Sequence, residues 1–109
     1  MARKAVTLAI PATGANANSG RTVMPTPDDA VIRHVVGVSA TLATKGMEFT
    51  FDLNSAPQVV IDALTLSRYT VPLPVAYDVP TNVQISFSLQ NTTGGGLVAG
   101  DFVTVVYEV

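Results

Sequence analysis

Residues Met47 to Leu53 alternate without a break. Met47, Phe49, Phe51 and Leu53 are apolar, and Glu48, Thr50 and Asp52 between them are polar. Successive side chains of an extended chain point to opposite faces, so a period of two describes a strand with one buried and one solvated face. A helix would spread the same residues around its axis. Asn82 to Gln90 repeats the pattern, with Val83, Ile85, Phe87 and Leu89 on one side and Gln84, Ser86 and Ser88 on the other. Two such runs require a sheet, and a half-buried sheet requires a second layer over its apolar face.

The other runs fit that requirement. In Asp101 to Val109, Val103, Val105, Tyr107 and Val109 form one face, while Phe102 and Val106 make the other partly apolar. A strand apolar on both faces is central in its sheet or covered. Lys4 to Ile10 reads as a first strand, and Ala30 to Leu42 as a long β-branched one with a bend or bulge at Gly37. Pro74 to Val79 lies next to prolines that suit an edge. Gln58 to Val71 is β-branched and is expected to be strand, with a short buried helix over Val59 to Leu66 as the other reading. Turn residues separate the runs at Thr44-Lys45-Gly46, where Gly46 can supply a positive φ, at Asn54 to Pro57, and in the Gly-rich stretch Asn91 to Gly96. About seven to eight strands without a convincing amphipathic helix predict an all-β, single-domain antiparallel β-sandwich, jelly-roll-like, with a barrel as the other solution. Pro11 to Asp29 stands apart as an extended arm with little to bury. So long a loop is uncommon in a compact domain, and a neighbouring subunit is its expected support.

Composition narrows the function classes. Charged residues are 13% of the 109, against about 25% in an average soluble protein, while 48% are hydrophobic. No apolar run reaches the roughly 18–20 residues of a membrane span; the longest candidate, Ala30 to Leu42, is broken by Arg33, His34, Gly37 and Ser39. A small domain cannot hide all the excess inside, so a homo-oligomer or a larger assembly is expected to bury it. Net charge is −2 with no block of like charges, so no nucleic-acid partner is expected. Arg3-Lys4 precedes an apolar stretch, Ala5 to Ile10, that is shorter than the core of a secretion signal, and no signal peptide is expected.

The chain offers little chemistry. With no cysteine, a disulfide framework, a thiolate metal site and a cysteine nucleophile are excluded. The single histidine, His34, sits in an apolar run and cannot supply a multi-histidine site. Asp28, Asp29, Asp52, Asp62, Asp78 and Asp101 are scattered; Asp28-Asp29 and Asp78 could meet across a subunit contact to hold an ion, or serve as solvated carboxylates and caps. Gly94-Gly95-Gly96 has neither the lysine nor the following helix of a phosphate loop. No enzyme activity, cofactor or metal is expected. Phe49, Phe51 and Phe87 belong to apolar faces and read as core. Tyr69, Tyr77 and Tyr107 read as interface anchors, since tyrosine offers area with a polar tip. Arg3 and Lys4 could dock on an acidic patch; Val23 and Met24 of the arm, and Phe102 of the last strand, complete the candidate interface.

Size, absence of cysteine, Thr/Val/Ala-rich strands, few charges, the arm Pro11-Ala12-Thr13-Gly14-Ala15-Asn16-Ala17-Asn18-Ser19-Gly20 and the ending Phe102-Val103-Thr104-Val105-Val106-Tyr107-Glu108-Val109 together resemble the small β-sandwich proteins that decorate or cement the capsids of tailed bacteriophages. The resemblance implies a symmetric homo-oligomer, with a trimer favoured. It would be made in the host cytoplasm and would sit on the capsid surface of the virion, strengthening contacts between major capsid subunits. The alternative is a tail, fibre or carbohydrate-binding module that recognises a host surface through exposed aromatics, with Tyr69 and Tyr77 near Asn91.

Overall fold

The computed structural model describes residues 2–25, 27–54, 56–67 and 72–109. Along them run β1 (Arg3–Ala9), β2 (Thr22–Met24), β3 (Arg33–Ala40), β4 (Met47–Leu53), β5 (Ala56–Asp62), α1 (Ala63–Ser67), β6 (Leu73–Val79), β7 (Ile85–Asn91) and β8 (Phe102–Glu108). They form two antiparallel four-stranded sheets, ordered β1-β8-β3-β6 and β2-β7-β4-β5. Each sheet interleaves strands from both halves of the chain, which is the double Greek key of a jelly roll. The alternating runs become the core as the period of two requires. Phe49, Phe51 and Phe87 are fully buried, with ring centroids 6.1 Å apart for Phe49–Phe51 and for Phe49–Phe87. Val35, Val38, Val103 and Val105 close over them from the other sheet. As its two apolar faces suggested, β8 is central, lying between β1 and β3. Proline-bearing β5 and β6 are edges.

Gly37 marks the expected irregularity. The pairing of β3 with both neighbours shifts between Val35 and Gly37: Val36 is the extra residue against β8, whereas against β6 Val36 stands opposite two residues, Val75 and Ala76. A Cβ at Gly37 would stand 2.9 Å from Pro72 Cβ, which leaves glycine as the residue that fits. Gly46 has φ 90° as expected, and Asn54, φ 50°, opens the tight turn between Leu53 and Ala56.

Three expectations are corrected. The long strand begins at Arg33 and not at Ala30, leaving Val31 and Ile32 exposed. The strand expected over Gln58 to Val71 stops at Asp62. There the carboxylate accepts the Leu64 N–H (2.9 Å) and the Gly46 N–H (3.0 Å), and an N-cap of this kind starts α1. Residues 68–71, including Arg68 and Tyr69, lie outside the described residues. Finally, the described residues of the 11–29 segment are tied to their own chain and do not form a free arm. It contains β2, which pairs with β7. Thr13 and Leu97 exchange backbone hydrogen bonds of 3.0 and 2.7 Å, and the Asn91 N–H donates to Ala17 O at 2.9 Å. The Asn91 carboxamide, fully buried, donates to Gly14 O and Gly95 O and accepts from Thr93.

Arg33 is the unexpected member of the interior. Its side chain is fully buried at the sandwich end that carries the β2–β3 and β6–β7 connections. Nε donates to Val31 O (3.2 Å), and Nη2 donates to Pro80 O (2.8 Å) and Val83 O, tying those connections together. Carbonyl dipoles thus face the guanidinium, whose charge also acts on Asp28 and Tyr107. Among the described residues Nη1 has no partner.

Candidate protein interface

The outward residues of β1-β8-β3-β6 form rows that run across the strands. Register places Arg3 opposite Glu108, Glu108 opposite His34, and His34 opposite Asp78. One row therefore reads Arg3, Glu108, His34, Asp78 across all four strands. Arg3 Nη2 bonds Glu108 Oε2 at 3.2 Å, and His34 Nδ1 lies 2.6 Å from Asp78 Oδ1. Opposite charges set directly across a ladder attract, as Arg3 and Glu108 do, and the hydrogen bond holds His34 and Asp78 in register. The Arg3 and Asp78 side chains, at the two ends, are each 66% exposed.

Among the described residues, the adjoining rows carry no charge. Ala5, Val106, Val36, Gly37 and Pro74 follow, and Arg3, Val36, Gly37, Pro72, Pro74 and Val106 line a shallow groove of about 340 Å³. Beyond it Thr7 and Thr104 share a hydroxyl hydrogen bond of 2.8 Å, with Ser39 next to Thr104. Phe102, 46% exposed and opposite Ala9, ends the face. The bulge at Val36 and the prolines Pro72 and Pro74 leave the groove without a side chain large enough to fill it.

The other sheet's outer face is built differently. Arg21 Nε lies over β4 and β7, 3.3 Å from Asp52 Oδ1 and 3.1 Å from Ser86 Oγ, and Ser86 bonds Asp52. Val23 and Val60 are exposed there on the two edge strands, β2 and β5, separated by this network. Among the described residues, only the first face offers adjoining rows free of charge.

The expected interface residues divide accordingly. Arg3 and Phe102 lie on this face, at its two ends. Val23 lies on the opposite face. Lys4 points to the sandwich end, where Nζ bonds both oxygens of Asp28 at 3.0 Å. Met24 and Tyr107 are corrected to core residues, because the parity of their strands turns them inward and leaves them 0% and 1% exposed. Tyr107 donates its hydroxyl to Asp28 (3.0 Å). Hydrogen bonds from Lys4 and then Tyr107 hold the Asp28 carboxyl below its ordinary 3.8. Tyr77 is also turned inward. Its hydroxyl has no partner among the described residues, and burial, then the charge of Asp52, raises its pKa. Tyr69 lies outside the described residues.

The glycan-binding grouping of Tyr77 with Asn91 does not form: both polar groups are interior, at opposite ends of the sandwich. The carboxylates considered for an ion are engaged within the chain, Asp28 as above, Asp29 with Gln84 (3.2 Å) and Asp78 with His34. Sequence reasoning noted the outward Phe102 and Val106 but missed that Glu108, His34 and Asp78 share one row with Arg3. The shared parity of Phe102, Val106 and Glu108 carried part of the signal. Among the described residues, no helix is long and apolar enough to cross a membrane. No protein-family model, curated protein or solved structure matches the chain.

Proposed function

We propose that this protein is a virion structural protein of the capsid decoration or cement kind, whose work is to bind other subunits of the shell. One observation carries the reading: a sheet face four strands wide on which, among the described residues, the ionisable side chains are confined to one row of alternating basic and acidic residues, the rest being apolar or hydroxyl-bearing. Interface cores differ from ordinary surface chiefly in being depleted of charge, and this face has that character. The fold adds support of a general kind. Jelly rolls recur in viral capsid domains, and also in lectins and cupins, so the face and not the fold bears the weight.

The mechanism on a shell is mechanical. A rigid sandwich presents a fixed surface to a repeated site, and burying it against a neighbour adds a contact that must break before shell subunits separate. The test is the particle. Antibodies against the purified chain should label the outside of intact virions, and the chain should be stoichiometric with the shell subunit. Virions that lack it refute the reading.

A further inference from the structure

We propose that the outer face of β1-β8-β3-β6 binds the same face of a second copy, through a twofold axis parallel to the strands that passes between β8 and β3. The inference rests on the assembly reading above and names the partner. It follows from the order of basic and acidic side chains in one row. Read across the sheet, Arg3, Glu108, His34 and Asp78 alternate basic and acidic side chains. A face-to-face copy turned about an axis along the strands lays the row over itself in reverse. Arg3 then meets Asp78 of the second copy, and Glu108 meets His34, each contact occurring twice. An axis across the strands would lay the row over the Phe102 end instead. Only the first placement sets every basic side chain of the row against an acidic one.

The remaining rows accept that placement. β8 and β3 are the two middle strands, so the dyad runs beside Val106 and Phe102. The groove over Val36 and Gly37 lies opposite its own counterpart, with room for side chains of the second copy. Phe102 sits close to the axis in both copies, where an exposed aromatic is best placed to anchor a contact. Aligned packing of two twisted sheets is an ordinary way for such faces to meet. A dyad contact is isologous and self-complementary, whereas a threefold ring joins two different patches. The row therefore replaces the expected trimer with a dimer. Strand spacing and rise give a face of roughly 19 Å by 20 Å, or about 400 Å² before side-chain relief. That is small beside the roughly 800 Å² per partner of a stable complex, so the free dimer is weak and gains from the high local concentration on a shell.

Sedimentation equilibrium over about 10 to 500 μM, the range suited to a small interface, tests the geometry with Arg3→Asp and Asp78→Arg. The wild type should form dimers. Each single variant sets like charges together at two symmetry-related contacts and should dimerise at least tenfold more weakly. A one-to-one mixture restores an acid–base pair at both contacts and should recover dimerisation. In it the substituted aspartate of one chain meets the substituted arginine of the other, and the two native partners, Asp78 and Arg3, meet at the second contact. Within each chain the substituted aspartate lies beside Glu108, or the substituted arginine beside His34, in mixture and singles alike, so recovery isolates the contact between chains. Should either variant fail to fold, Phe102→Ala serves instead and should weaken the dimer about tenfold, as an anchor residue does. A wild type that stays monomeric, a mixture no tighter than its components, or a dimer indifferent to Phe102→Ala overturns the dyad. None of these results alters the labelling of virions, and a chain that dimerises this way but is absent from virions loses only the capsid role.

Discussion

Replacing Asn91 with alanine tests whether the long segment before β2 is pinned by its own chain. The fully buried carboxamide makes four hydrogen bonds: Nδ2 to Gly14 O (3.1 Å) and Gly95 O (2.8 Å), and Oδ1 from the Thr93 N–H (2.9 Å) and hydroxyl (2.6 Å). At a net contribution near 1 kcal/mol each, the set is worth about 4 kcal/mol. Gly14 and Gly95 are exposed, so water recovers part of the loss and the expected destabilisation is about 2–3 kcal/mol. For a domain near 100 residues that lowers Tm by roughly 10–20 °C. The damage should also be local. The amides of Thr13, Asn16 and Ser19 donate to Leu97, Thr93 and Leu89, and their hydrogen exchange should accelerate more than that of β8. Asn91→Asp should be worse than alanine, because a carboxylate would then face two carbonyl oxygens. A Tm loss of only a few degrees, about 1 kcal/mol or less, with exchange at residues 13–19 unchanged, would refute the account.

Gly46→Ala combines a φ of 90° with a Cβ placed 2.9 Å from Thr93 Cγ2 and 3.0 Å from Thr92 Oγ1, so urea unfolding should show a loss of about 2 kcal/mol or more. Gly94→Ala, with open space around its Cβ, should change little in the same assay. Removing a hydroxyl should have opposite effects at two tyrosines. Tyr107→Phe loses a bond to Asp28 and should cost about 1–2 kcal/mol, while Tyr77→Phe deletes a buried hydroxyl with no partner among the described residues and should be neutral or stabilising by up to about 1 kcal/mol. Equal losses at both would contradict the assigned partners. The lowered Asp28 pKa makes its stabilisation fully present above the unfolded carboxyl value near pH 4 and lost as pH falls through the folded value. Urea midpoints below about pH 4 should therefore fall less steeply in Asp28→Asn than in the wild type; identical slopes would contradict this.

The strands were legible where one face is buried and the other is not. Met47 to Leu53 matched β4 residue for residue because its neighbours on both sides, β5 and β7, impose the same parity. Gly37 was legible because a glycine inside a β-branched run weakens the strand, and its usual place there is a bulge or a close backbone approach. The stretch after Val59 misled because β-branched residues continue past the cap. Asp62 followed by Ala63-Leu64 was the local signal, and its force depends on Gly46, sixteen residues away, sharing the carboxylate. β2 was hidden for another reason. Three residues cannot display a period, and Thr22–Met24 is strand only because β7 offers it an edge.

The candidate interface was the least legible part, and strand order accounts for it. Arg3, His34, Asp78 and Glu108 lie at positions with no shared neighbourhood along the chain. Each has a bland local reading: a solvated terminus, a lone histidine, a loop carboxylate, a penultimate acid. They become one row because a double Greek key brings β1, β8, β3 and β6 side by side, joining both ends of the sequence to its middle. Parity then decides which faces outward. One step along β1 or β8 replaces Arg3 with Lys4 and Glu108 with Tyr107, both committed to Asp28 at the sandwich end. A single-residue register slip would thus exchange the outer row for the groups that close the core. Fold and surface are therefore specified together: the pairing that buries Tyr107 is the one that sets Glu108 between Arg3 and His34.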